Sequence, residues 1–92
     1  MAKFKSKHIK VLANVVVQLV SNDVSRLFLE VQNYNDYGTP VRIDNSESSV
    51  NVHSAVLQPG KEFCLNLQAS DVAIWCLSDQ DAYINVIEVV TT

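Results

Sequence analysis

Glycine and histidine are nearly missing from this chain, and each shortage closes off a kind of chemistry. The two glycines, Gly38 and Gly60, are too few and too far apart for the glycine-rich loop that cradles phosphate. The two histidines, His8 and His53, have no cysteine, histidine or carboxylate at metal-ligand spacing, so no metal and no cofactor is expected. One histidine beyond the first ten residues leaves a Ser–His–Asp triad almost without material. The chain therefore reads as a non-enzyme. No apolar run nears the ~20 residues that span a bilayer. The basic start also lacks the apolar stretch and cleavage site of a signal peptide. Synthesis in the cytoplasm, with no membrane partner, is expected.

Charge is sparse as well. Charged residues make up 18% of the chain, against about 25% in soluble domains. Ninety-two residues make one domain, which buries only about 60–65% of the surface its unfolded form exposes. Little core and little polar cover together favour a homo-oligomer or docking on a partner. The two cysteines, Cys64 and Cys76, are read as buried thiols acting as small hydrophobes, with a disulfide between them left open.

The charge that is present is unevenly placed. Lys3, Lys5, Lys7 and Lys10 supply four of the seven basic residues, and the rest of the chain carries three basic residues against ten acids. Residues 1–10 are read as a basic N-terminal arm on an acidic body. Such an arm can be a solvated terminus, dock on an acidic protein face or touch phosphates. With the body at −7, nucleic acid is the least favoured of the three.

From residue 11 to 92 the chain reads as a β-sandwich domain. Val11–Val20 alternates a wholly apolar set with a mixed one, and its valines favour a strand over the rival helix. Leu27, Leu29 and Val31 alternate with Phe28, Glu30 and Gln32. Asn33–Gly38 reads as a loop, and Pro40 opens a strand in which Val41 and Ile43 face inward. A polar loop comes next, then a short irregular strand toward Leu57. Gln58-Pro59-Gly60-Lys61 is a type II turn with Gly60 supplying the positive φ. Phe63, Leu65 and Leu67 alternate after it. Val72–Leu77 suits a strand covered on both faces, and Tyr83–Val90 closes the chain. About seven strands at this spacing describe a small antiparallel all-β sandwich, jelly-roll or Ig-like.

Two features remain as candidate sites. Asp79 and Asp81 straddle Gln80 in a turn, but aspartate in turns is ordinary and no further oxygen ligands for calcium stand nearby. Tyr34 and Tyr37 sit in a polar loop, where a tyrosine serves either local packing or a partner. With Lys3, Lys5, Lys7 and Lys10 they form the candidate partner-binding set. Phe28, Phe63 and Trp75 lie at strand positions and are read as core.

Four stretches carry a resemblance. They are Arg-Leu-x-Leu-x-Val-x-Asn at Arg26–Asn33, Pro-Val-x-Ile at Pro40–Ile43, Leu-x-Pro-Gly with alternating apolar residues at Leu57–Leu67, and Ile74-x-x-x-Ser78 followed by Ile84-x-Val86. Over roughly Val15 to Val90 the chain resembles small β-sandwich structural proteins of bacteriophages, the decoration, head-fibre and vertex components of virions. It departs from their pattern at Asn45–Ser49, where glycine is common, and at Trp75-Cys76. The resemblance implies a non-catalytic virion component whose partners are the major capsid protein or other virion proteins. The alternative is a carbohydrate- or receptor-binding module using Tyr34, Asn35, Asp36 and Tyr37.

Overall fold

The computed structural model describes residues 1–35, 39–47, 50, 55–66 and 70–91. Eight strands run through them: β1 (Ala2–Val11), β2 (Val17–Val20), β3 (Arg26–Asn33), β4 (Val41–Asp44), β5 (Ala55–Leu57), β6 (Glu62–Asn66), β7 (Ile74–Leu77) and β8 (Ala82–Thr91). They form two four-stranded sheets, ordered β1-β8-β3-β6 and β2-β7-β4-β5, antiparallel throughout. Apart from the β4–β5 hairpin, every strand is followed by one in the other sheet. That winding, with the first and last strands paired, is the eight-stranded jelly roll and not the Ig arrangement.

The core lies between the sheets and follows the strand period. Leu29 and Val31 from β3, Ile84 and Val86 from β8, and Val11 from β1 meet Leu19, Val41, Ile43, Ile74 and Cys76 from the opposing sheet. Each such aliphatic side chain contributes about 1.5–3 kcal/mol by leaving water. Val41 and Ile43 face inward as their alternation requires, and Phe63 and Leu65 pack against the core half-buried.

The lysine-rich start is not an arm. Ala2–Val11 pairs residue for residue with Thr91–Ala82 along the full length of β8, so the sandwich begins at residue 2. Only Ile9 and Val11 in this strand lose exposure. Its first seven residues therefore show no burial alternation that a sequence could display. Backbone pairing with β8 holds them in the sheet.

Val11–Val20 is not one strand either. Asn14 takes a left-handed φ of 62°, a conformation asparagine tolerates better than valine. Its N–H donates to Ser78 O at 2.7 Å, and the chain turns there from β1 into β2. This break, together with β1, turns the expected seven strands into eight. Asn33, expected in a loop, ends β3 and is buried.

Other expectations hold. Gly60 has φ 76° and Lys61 N–H donates to Gln58 O at 3.1 Å, the geometry of a type II turn. In β7, Ile74, Cys76 and Leu77 are buried and Trp75 half-buried. Trp75 and Phe28 stand at strand positions that face away from the shared interior, so they are not core residues. Residues 51–54 and 67–69, which include His53 and Leu67, lie outside the described residues, as do Asp36, Tyr37 and Gly38.

Candidate functional site

Buried polar side chains are the first place to look for chemistry, and here two of them are fastenings. Arg26, the first residue of β3, is 3% exposed. Its Nε donates to Glu88 Oε2 at 2.9 Å. Nη1 donates to the carbonyls of Ser70 and Val72 at 2.8 and 3.0 Å, and Nη2 to the carbonyl of Ser21 at 2.8 Å. Ser70 Oγ donates back to Arg26 O at 2.9 Å. A buried guanidinium is tolerable only with its donors and charge matched in this way. It ties β3 and β8 to the connection that follows β2 and the one that precedes β7, side by side at one end of the opposing sheet.

Asn33 does the same at the other end of β3. Its Nδ2 donates to Thr39 O at 3.0 Å and Leu57 O at 2.9 Å. Its Oδ1 accepts from Asn35 N and Nδ2 at 3.1 and 2.6 Å. Its backbone exchanges bonds with Lys61 and Gly60 at 2.9 and 2.8 Å. Neither residue has an atom left for a ligand.

The turn carboxylates are likewise occupied. Asp81 accepts from Ala13 N at 2.9 Å and lies 3.9 Å from Lys10 Nζ. Asp79 lies 3.5 Å from Arg42. Among the described residues no group of three or more His, Cys, Asp or Glu is placed to hold a metal, and no helix is long and apolar enough to cross a membrane.

The cysteines sit on different sheets and are both free. Cys76 is buried, and that burial pushes its thiol up to about 12. Cys64 is exposed, contrary to the expectation of two buried thiols, because β6 is an edge strand and Cys64 faces outward. Partial desolvation, and then its hydrogen bond to Glu30 at 3.3 Å, raise this thiol too.

What remains is the outside. The outer face of the β1-β8-β3-β6 sheet carries three cross-strand rows set by register: Phe4–Val89–Phe28–Asn66, Ser6–Ile87–Glu30–Cys64 and His8–Asn85–Gln32–Glu62. Phe4 is 65% exposed, and Val89, Phe28 and Ile87 are half-buried. Across the other two rows, Asn85 Nδ2 donates to Gln32 Oε1 at 3.0 Å and Gln32 Nε2 donates to Glu30. Asn85 Oδ1 is buried without a hydrogen-bond partner. Tyr34 and Tyr83, each 57% exposed, continue the face at its upper end, where Tyr34 N–H reaches Tyr83 O at 3.4 Å.

Lys3, Lys5 and Lys7 lie on the opposite side of β1, in line with Ile9 and Val11 but exposed. Inward-pointing lysines on an edge strand discourage a second strand from pairing there. The structure thus separates the predicted set. The three lysines form an edge ridge, Lys10 joins Asp81, and Tyr34 belongs to the outer sheet face. Tyr37 lies outside the described residues. Phe4, Tyr83, Ile87 and Val89 carry no sequence signal as site residues, and Phe28 reads as core. The even positions of Ala2–Val11, read as strand, would have shown Phe4.

A cleft of about 320 Å³ opens between the two sheets, lined by Ile43, Asp44, Asn45, Ala55, Phe63, Leu65, Val72 and Ile74. Six of these are apolar. A smaller hollow of about 150 Å³ lies beside Tyr34, lined by Gln32, Asn33, Gly60, Lys61 and Glu62 as well.

No protein-family description and no curated protein matches the chain. Solved structures do. The solution structure of a de novo designed double-stranded β-helix aligns over 91% of this chain and 97% of its own, with TM-score 0.62 and 15% identity. The fold is a double-stranded β-helix. Protein NMB1881 of Neisseria meningitidis aligns over 96% of this chain and 74% of its own, with TM-score 0.59 and 11% identity. A protein described as a Bacillus endospore appendage, from a family of disulfide-linked pili, aligns over 98% and 88%, with TM-score 0.53 and 12% identity. At these identities the likeness is one of fold alone.

Proposed function

We propose that this chain is a non-catalytic structural subunit of a bacteriophage virion, a decoration, fibre-base or vertex protein. It holds the capsid or its neighbours through its outer surfaces. The observation that carries the reading is the division of labour between inside and outside. Arg26 and Asn33 commit their polar atoms to bonds that fasten the sheets together, while Phe4, Tyr34 and Tyr83 stand in solvent. Exposed aromatics on a rigid sheet are the usual anchors of a protein interface. The jelly roll recurs in capsid proteins, and one structural neighbour builds pili. Both support assembly as the use of this fold.

The test is to purify particles from the source phage and quantify the protein by mass spectrometry against the capsid protein. The reading expects many copies per particle. A protein that stays wholly in the unassembled fraction removes the reading.

The hollow beside Tyr34 favours a second reading, a carbohydrate- or receptor-binding module. Asn35 is not available to it, since its Oδ1 accepts Tyr83 N–H at 2.9 Å and its Nδ2 is held by Asn33. A glycan array bound by the wild type and not by Tyr34→Ala would establish this reading; a blank array removes it.

A further inference from the structure

We propose that two copies of this chain pack face to face through the outer side of the β1-β8-β3-β6 sheet, about a two-fold axis parallel to the strands and midway between β8 and β3. Rotation about that axis keeps each row at its own height. It exchanges β8 with β3 and β1 with β6, so every row meets itself reversed. Val89 of one copy lies against Phe28 of the other, Tyr83 against Tyr34, and His8 against Glu62. Apolar meets aromatic, aromatic meets aromatic, and imidazole meets carboxylate.

Asn85, whose Nδ2 already donates to Gln32 of its own copy, faces Gln32 of the other, amide against amide. Two pairs are unlike: Phe4 against Asn66, and Ile87 against Glu30, whose carboxylate is already held by Gln32 and Cys64. A two-fold axis running across the strands at the same place would set Val89 on Asn85 and Phe28 on Gln32, which matches nothing. Stacked sheets pack about 10 Å apart within about 30° of parallel, a geometry open to this face.

Facing its partner, β1 lies over the five residues of β6 and β8 over the eight of β3, so the overlap is roughly 420 Å² per copy, or about 850 Å² in total, the size of a weak, reversible contact. The pairing deepens the structural reading and rests on it only in assigning this face to assembly.

The same rotation sets Ser6 of one copy against Cys64 of the other, which supplies the test. In the Ser6→Cys variant of the full chain, the two thiols of one copy are three strand spacings apart, roughly 14 Å. A bismaleimide shorter than that is expected to give a covalent dimer, lost when Cys64→Ser is added. In sedimentation equilibrium the wild type is expected to be a dimer that Val89→Glu weakens about 100-fold. Circular dichroism reports whether that variant folds; if it does not, Tyr83→Glu at the exposed end takes its place. A monomeric wild type at the cross-linking concentration overturns the pairing, and so does a dimer indifferent to these variants. A monomer that still enters particles also overturns it and leaves the structural role standing, with a different particle protein on this face.

Discussion

At its first residue β3 is tied to the opposing sheet by a charged clasp, and at its last by a neutral one. Arg26 reaches carbonyls before and after the opposing sheet's strands and balances its charge on Glu88. Asn33 reaches two carbonyls with one amide group and receives Asn35 on its oxygen. The surroundings differ in kind too. Asp23 and Lys5 stand near the Arg26 end, whereas Asn33 is flanked by the Pro59-Gly60 turn and the tyrosines. A guanidinium spans more distance and gathers more segments, but its removal strands a carboxylate. A carboxamide reaches less far, and its removal strands only neutral backbone groups.

That difference predicts an order of effects. Arg26→Ala should cost the most, about 3–5 kcal/mol in urea denaturation, because Glu88 is left nine-tenths buried and unpaired. A loss under about 1 kcal/mol would mean the charged clasp closes nothing. Asn33→Ala should cost about 2–3 kcal/mol, as the Thr39 and Leu57 carbonyls lose their donor. If it exceeds Arg26→Ala, charge is not what separates the two ends.

Gly60→Ala is expected to be milder. A Cβ there meets nothing within 4 Å, so only the φ of 76° is strained, at about 1–2 kcal/mol. A neutral result in thermal denaturation would show that the turn re-forms in another type. The smallest effect is one of pH. Asp23 accepts from Ser25 Oγ and N at 2.6 and 2.9 Å, and these bonds hold its carboxyl below the ordinary range. A lowered folded value means the stabilisation is complete above the unfolded aspartate's value, about pH 4, and is lost as pH falls through the folded one. The stability gap between wild type and Asp23→Asn should therefore shrink below about pH 4. The cost of Asn33→Ala should stay constant over the same titration.

How much of the fold and its surfaces is legible in sequence varies by element, for identifiable reasons. The Pro59-Gly60 turn and the alternation in β3 and β4 are local, so their signals stand within a few residues. β1 reads as an arm because lysines alternating with Phe4, Ser6 and His8 show no apolar face; what makes it a strand is β8, at the far end of the chain. The Val11–Val20 run hides its break because the turn at Asn14 needs Ser78 as acceptor, again a distant residue. Arg26 is visible as a motif residue and Asn33 as a loop residue. Their shared task appears only when both ends of β3 are set against the other sheet. Of the partner-binding candidates, the exposure of Tyr34 is legible from its polar neighbourhood. The aromatic and aliphatic rows beside it are not, because Phe28, Ile87 and Val89 look like any core residues until the sheet order shows which face they occupy.

Alternation and turn residues by themselves settled that this chain is a single all-β sandwich, because both are short-range consequences of side-chain direction and backbone sterics. Which strands pair, which face is left to solvent and where the two clasps close were decided only by tertiary structure. Those outcomes depend on hydrogen bonds and burial between segments tens of residues apart, which no local window of sequence contains.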